Sequence, residues 1–227
     1  MLLRSFLVAA ALAALAAPPA SAAPILDDLK PCYVAAQEEQ REPVLVNGSG
    51  FSPGKTVEIY IDETAALEKP PVTNFDGTLR GTVSAPFIEE GERAFSLRVT
   101  ERDNLLNSVT KYSRVTRLSV EQRPARAATR DRVTFRGRGF TDLLTPVYAH
   151  YVFAGKSQKT VRLGLPTGPC GLFSIKRRQF PFKNSPRRGV WTIQFDQVKA
   201  YDPKAAVNFR LTVRVSKRLK PEQARAR

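Results

Sequence analysis

The chain has 227 residues, with 36 Lys and Arg against 21 Asp and Glu, a single His and two Cys, for a formal net charge of +15. That length suits one large domain or two of about 100 residues each. One histidine and two widely separated cysteines exclude a zinc site and a thioredoxin-like motif, so no metal or cofactor is expected.

At the start of the chain, Arg4 precedes an apolar run from Phe6 to Ala17, and Pro18 to Ala22 closes on a small-x-small end. These are the three parts of a secretory signal, here residues 1–22 with cleavage after Ala22. The run is shorter than the ~20 residues that a membrane span needs. The stretch from Leu29 to Cys32 is a poor lipobox, and the residues after Lys217 carry neither a sorting motif nor an apolar tail. The mature protein is therefore expected to be released from the cell. Two cysteines in an oxidising compartment make Cys32 and Cys170 a disulfide candidate, against two unpaired thiols or a bridge to another chain. Closing so long a loop contributes about 4–5 kcal/mol in the chain-entropy model.

The mature chain is a repeat. Residues Arg41 to Ser52 recur as Arg130 to Thr141 at a constant offset of 89, matching arginine, acid, valine, both glycines, phenylalanine and hydroxyl. Thr56 to Ile61 then matches Pro146 to Tyr151. Ala85-Pro86-Phe87 matches Phe180-Pro181-Phe182, and Phe95 to Val99 matches Trp191 to Phe195. The offset drifts upward as loop insertions would make it.

Each unit reads as strands. Apolar residues alternate at Val57, Ile59 and Ile61, at Phe95, Leu97 and Val99, at Trp191, Ile193 and Phe195, and at Phe209, Leu211, Val213 and Val215. Period two buries one face and solvates the other. Turn signals separate the runs at Asn47-Gly48, Asp76-Gly77, Gly168-Pro169 and Asn184 to Pro186. Ala35 to Arg41 allows one or two helical turns at most. Short strands at regular spacing indicate an all-β antiparallel sandwich in each unit. The last strand of the first unit ends near Gln122 to Ala127. This divides the chain into an acidic unit (23–122), a basic unit (123–217) and a basic tail (218–227).

The stretch Gly48-Ser49-Gly50-Phe51-Ser52-Pro53-Gly54, with Val57 and the later Asp76-Gly77-Thr78, resembles IPT/TIG-type immunoglobulin-like domains. The mature chain as a whole is similar to secreted actinobacterial proteins with two such domains in tandem. The second unit keeps Gly139-Phe140 but replaces Ser-Pro-Gly by Thr141-Asp142-Leu143. The resemblance implies an immunoglobulin-like fold and a binding or structural role, without naming a ligand.

His150 falls on the face opposite Val147, Ala149 and Tyr151, and no motif supplies it with a nucleophile and an acid, so it reads as structural or as a stacking partner. Gly48-x-Gly50 and Gly137-x-Gly139 adjoin strands rather than a helix, which excludes a dinucleotide loop. The acidic pairs Asp27-Asp28, Glu38-Glu39, Asp62-Glu63 and Glu89-Glu90 read as solvated surface.

Charge is unevenly distributed. Residues 24–122 carry 11 basic and 16 acidic side chains, whereas residues 123–227 carry 24 and 5. Folding does not need this asymmetry, because like charges crowded on one unit repel. The densest basic stretch holds Lys176, Arg177, Arg178, Lys183, Arg187 and Arg188, with Phe180 or Phe182 as an apolar contact for a bound anion, against packing at a strand end for Phe182. The expected function is non-enzymatic binding, with the basic unit engaging an anionic cell-envelope polymer, a lipid surface or an acidic protein. Self-assembly through the oppositely charged units is the alternative, and a hydrolase with an interdomain site is a third. Nucleic acid is compatible with the charge but is not selected by it.

Overall fold

The computed structural model describes residues 23–216. The expected signal segment with its cleavage point, and the basic tail, lie outside the described residues. Among those residues the chain is all-β: β1 (Ile25–Leu26), β2 (Tyr33–Ala35), β3 (Pro43–Ser49), β4 (Val57–Ile61), β5 (Thr64–Ala65), β6 (Leu79–Ser84), β7 (Glu92–Glu101), β8 (Asn104–Arg117), β9 (Ser119–Arg123), β10 (Arg132–Arg138), β11 (Val147–Phe153), β12 (Lys156–Gly164), β13 (Phe173–Arg178), β14 (Gly189–Asp196) and β15 (Asn208–Val215). The one or two helical turns allowed over Ala35 to Arg41 do not form. Ala35 ends β2, and bends follow it.

The strands make four sheets, ordered β1-β3-β6, β2-β8-β7-β4-β5, β13-β10-β9 and β12-β11-β14-β15. Buried apolar residues fall into two clusters. One fills the space between the first two sheets, with Val44, Val46, Leu79, Val57, Ile59, Phe95, Leu97 and Val99. The other fills the space between the last two, with Val133, Phe135, Ala149, Tyr151, Trp191, Ile193 and Phe195. Of the residues read as alternating, Val57, Ile59, Phe95, Leu97, Val99, Trp191, Ile193 and Phe195 are fully in these cores, while Ile61, Phe209, Leu211 and Val213 are partly buried against them.

The repeat is carried into three dimensions. Strand β3 matches β10, β4 matches β11, β6 matches β13 and β7 matches β14. Strand β1 pairs with β3 as β9 pairs with β10. Ser119–Arg123, expected to end the first unit, therefore opens the second sheet pair, and Leu118 and Val120 belong to the second cluster. The chain changes core at Val115 to Leu118, because the register of β9 follows β10 and not β8.

Glycines explain the repeat's fixed points. Gly50 and Gly139 have φ of +81° and +93°, a region that residues with a Cβ resist. The Phe51 N–H donates to the Gly77 carbonyl at 3.2 Å, and the Phe140 N–H donates to the Gly171 carbonyl at the same distance. Asn47-Gly48, expected as a turn, instead continues β3. A side chain at Gly48 would strike the Ile25 carbonyl and Leu26, so close strand packing and not chain reversal demands the glycine.

Strand β2 joins the two halves. It runs parallel to β8, with Tyr33 opposite Val115 and Ala35 opposite Arg117. Just before it, Cys32 is bonded to Cys170 across 138 positions, with Cα atoms 5.2 Å apart. The expected disulfide is thus formed, and both half-cystines are buried.

Candidate functional site

The basic stretch does not act as one unit. In β13, burial alternates along Phe173–Arg178, leaving Ser174, Lys176 and Arg178 exposed and turning Phe173, Ile175 and Arg177 inward. Arg177 is paired with core-facing Val133. Its Nη1 donates to the Arg162 carbonyl at 3.4 Å, and its Nε is buried without a partner. Arg177 therefore leaves the expected site, because adjacent residues of a strand cannot share a face. Phe180 leaves it too. Only 2% exposed, it packs on Tyr151, Phe182 and Trp191 with ring centroids 5.7, 6.2 and 5.4 Å away. Lys183, Arg187 and Arg188 are exposed on the loop between β13 and β14, and the Arg187 carbonyl accepts from Trp191 Nε1 at 2.8 Å.

Register brings together cations that the sequence reading did not group. Arg132 lies opposite Arg178, Thr134 lies between Lys176 and Arg123, Arg136 between Ser174 and Glu121, and Arg138 opposite Ser119. Directly opposed residues share a face. The outer face of this sheet therefore carries Arg123, Arg132, Arg136, Arg138, Lys176 and Arg178, with Glu121 as its acid. The parity of Arg132, Arg136 and Arg138 was the available signal, hidden because these residues lie some 40 positions before Lys176.

Where this face meets the first half, a groove of about 660 Å³ is lined by Glu89, Glu90, Gly91 and Arg117 of the first half and by Glu121, Arg136 and Arg138 of the second. The acidic pair Glu89-Glu90, expected as solvated surface, thus stands beside the basic face within one molecule. Arg117 lies over the Phe87 ring at 5.1 Å, and its Nη1 is buried without a partner.

His150 has more around it than the sequence offered. The residue is fully buried, as are Gln194 and Asp196. Its Nε2 lies 3.0 Å from both Asp196 Oδ1 and the Val198 carbonyl, and its Nδ1 is 2.9 Å from Thr160 Oγ1. A carbonyl only accepts, so Nε2 carries a hydrogen, and Nδ1 is hydrogen-bonded to the Thr160 hydroxyl. A hydroxyl, an imidazole and a carboxylate are thus in line, the pair of partners that no motif had indicated.

The arrangement follows from register. Thr160 and Gln194 are the direct cross-strand neighbours of His150. The segment after Asp196 then covers them: Gln194 Nε2 donates to Asp196 Oδ2 at 2.8 Å and to the Asp202 carbonyl at 2.7 Å, and the Val198 N–H donates to Asp196 Oδ1 at 2.9 Å. This face of β11 and β14, expected to be solvated, is dry because its polar groups satisfy one another. Thr160 is the exposed member of the cluster, sits in mid-strand on β12 and does not line the large groove. The cluster holds the segment after Asp196 against the sheet.

No family model matches the chain, and no curated protein matches it. Among solved structures, the chain is similar to the Bacteroides ovatus mixed-linkage glucan utilization locus SGBP-B, in complex with a mixed-linkage heptasaccharide. Identity is 12% and the TM-score is 0.24, over 85% of this chain and 47% of that one. The chain thus spans about half the length of that protein. Likeness at this TM-score carries no inference about ligand. Among the described residues no helix is long and apolar enough to cross a membrane.

Proposed function

We propose that the chain is a secreted, non-enzymatic binding protein of two immunoglobulin-like units of the IPT/TIG kind, whose basic second half engages an anionic polymer of the cell envelope. One observation supports this reading above the others. In the first half Lys30, Lys55, Arg93, Arg98, Arg102, Lys111 and Arg114 each meet a carboxylate within 4 Å. In the second, among the described residues, only Arg123 with Glu121 and His150 with Asp196 do so. A surface of uncompensated like charge costs stability and attracts counter-ions, and a polyanion is the partner that offsets both. The acidic half serves as a spacer, most of whose cations are already paired with its own carboxylates.

Retention of the purified mature protein on cell-envelope fractions across a salt series tests the proposal. Retention on an anionic fraction that falls steeply with salt supports it. No retention, together with a mass that rises as salt falls in ultracentrifugation, replaces it with self-assembly between oppositely charged halves.

A further inference from the structure

Resting on that reading, we infer that the outer face of the β13-β10-β9 sheet is the binding site, and that its ligand is a linear phosphodiester polymer without bases. The face is a ladder. Successive rungs along β10 hold Arg132 with Arg178, then Lys176 with Arg123, then Arg136 opposite Glu121, then Arg138, and Glu121 is ion-paired with Arg123. Residues two apart on a strand are about 7 Å apart, so the four rungs run about 20 Å with a cation on each.

Like charges directly opposite one another destabilise a sheet. Arg132 and Arg178 stand so, and neither has a carboxylate partner among the described residues. An extended chain carrying one phosphate per short polyol repeat places its charges at an interval comparable to the rungs. Guanidinium forks grip phosphate oxygens two at a time, and five of the six cations are arginine. A polyuronate matches less well, since stiff sugar rings turn successive carboxylates to alternate sides. Single-stranded nucleic acid needs aromatic platforms for its bases. This face offers none, as Phe173 turns inward against Gly137 and Phe140.

The experiment measures binding of the full mature protein to polyglycerol phosphate, oligo-dT and polygalacturonate of matched charge, each across a salt series. For polyglycerol phosphate the logarithm of affinity is expected to fall against the logarithm of salt with a slope of about −3 to −4, from four to six contacts. Arg132→Ser with Arg136→Ser is expected to reduce the slope by more than one and to weaken binding at least tenfold. The loop variant Lys183→Ser, Arg187→Ser, Arg188→Ser leaves both unchanged. The face variant relieves repulsion, so its unfolding midpoint does not fall. Tighter binding of oligo-dT or polygalacturonate overturns the phosphodiester assignment and leaves polyanion binding standing. Loss of binding in the loop variant alone overturns the location. Salt-insensitive or absent binding to all three overturns this inference and the proposed function together.

Discussion

Tyr33 and Val34 are neighbours in the chain, yet they bury their side chains in different hydrophobic clusters, Tyr33 in the first and Val34 in the second. Alternation along a strand produces this, since β2 lies where both cores reach it. With Cys32 bonded to Cys170 one residue earlier, a short segment latches the two halves at their junction.

Breaking the latch is expected to cost stability in two separable amounts. Removing the bridge by Cys32→Ser with Cys170→Ser frees a loop of 138 positions, worth about 5 kcal/mol in the chain-entropy model. Val34→Ala removes two buried methyl groups for about 1–2.5 kcal/mol. Urea unfolding of each variant checks both values. A loss below 1 kcal/mol for the cysteine variant means that strand β2 alone holds the halves together.

The paired glycines give a sharper contrast. Gly77 and Gly171 have φ of +74° and +61°, and a Cβ at either would collide with the carbonyl oxygen of Phe51 or Phe140 respectively. Gly54 also has a positive φ, at +67°, but open space around it. Gly77→Ala and Gly171→Ala should each cost more than about 3 kcal/mol, strain plus displaced backbone, and Gly54→Ala only about 1 kcal/mol. Equal losses in all three would show that backbone conformation, and not the close approach, sets the demand.

How much of this was legible depended on what a single strand's pattern can carry. The alternation of Phe95, Leu97 and Val99, and its echo in Trp191, Ile193 and Phe195, reports burial directly, so the sheets and the repeat could be read. Gly77 was legible through its preceding Asp76, but Gly171 follows Cys170 and sits past an expected turn, which hid its equivalence. Strand β2 is too short to show a period. The charged face was the largest loss: Lys176, Arg177 and Arg178 are consecutive, so they read as one patch, while the true neighbours of Lys176 are supplied by β10 and β9. Only register brings those together.

The His150 cluster is expected to act on stability and not on turnover. His150→Ala leaves Asp196 buried with its main partner gone, a change that typically costs about 3–5 kcal/mol. Asp196→Asn keeps an acceptor for the Val198 N–H and should cost less than Asp196→Ala. Thr160→Ala removes one hydrogen bond at an exposed position, worth about 1 kcal/mol or less. Thermal unfolding ranks the four. Hydrolysis of any ester, glycoside or peptide that Thr160→Ala abolishes without lowering the midpoint would make this cluster an active site.

Tyr151 offers a substitution that should stabilise. Its ring is fully buried against Phe180 and Phe182, and its hydroxyl has no hydrogen-bond partner. Burial pushes the phenol up to about 12, opposed in part by the nearby Arg177 guanidinium. Because the folded value lies above the unfolded value of about 10, the stability linked to this group is fully present below pH 10. It is lost as pH rises from about 10 to 12, where the unfolded chain releases the proton first. Tyr151→Phe keeps the ring packing and deletes the unsatisfied hydroxyl, so it should raise stability at pH 7 by about 1 kcal/mol. It should also flatten the alkaline fall between pH 10 and 12. Urea unfolding of both proteins at pH 7, 10 and 11.5 checks the two effects together. A variant less stable at pH 7 would mean that the hydroxyl is satisfied in solution, with the Arg177 Nε side of the pocket the place to look for its partner.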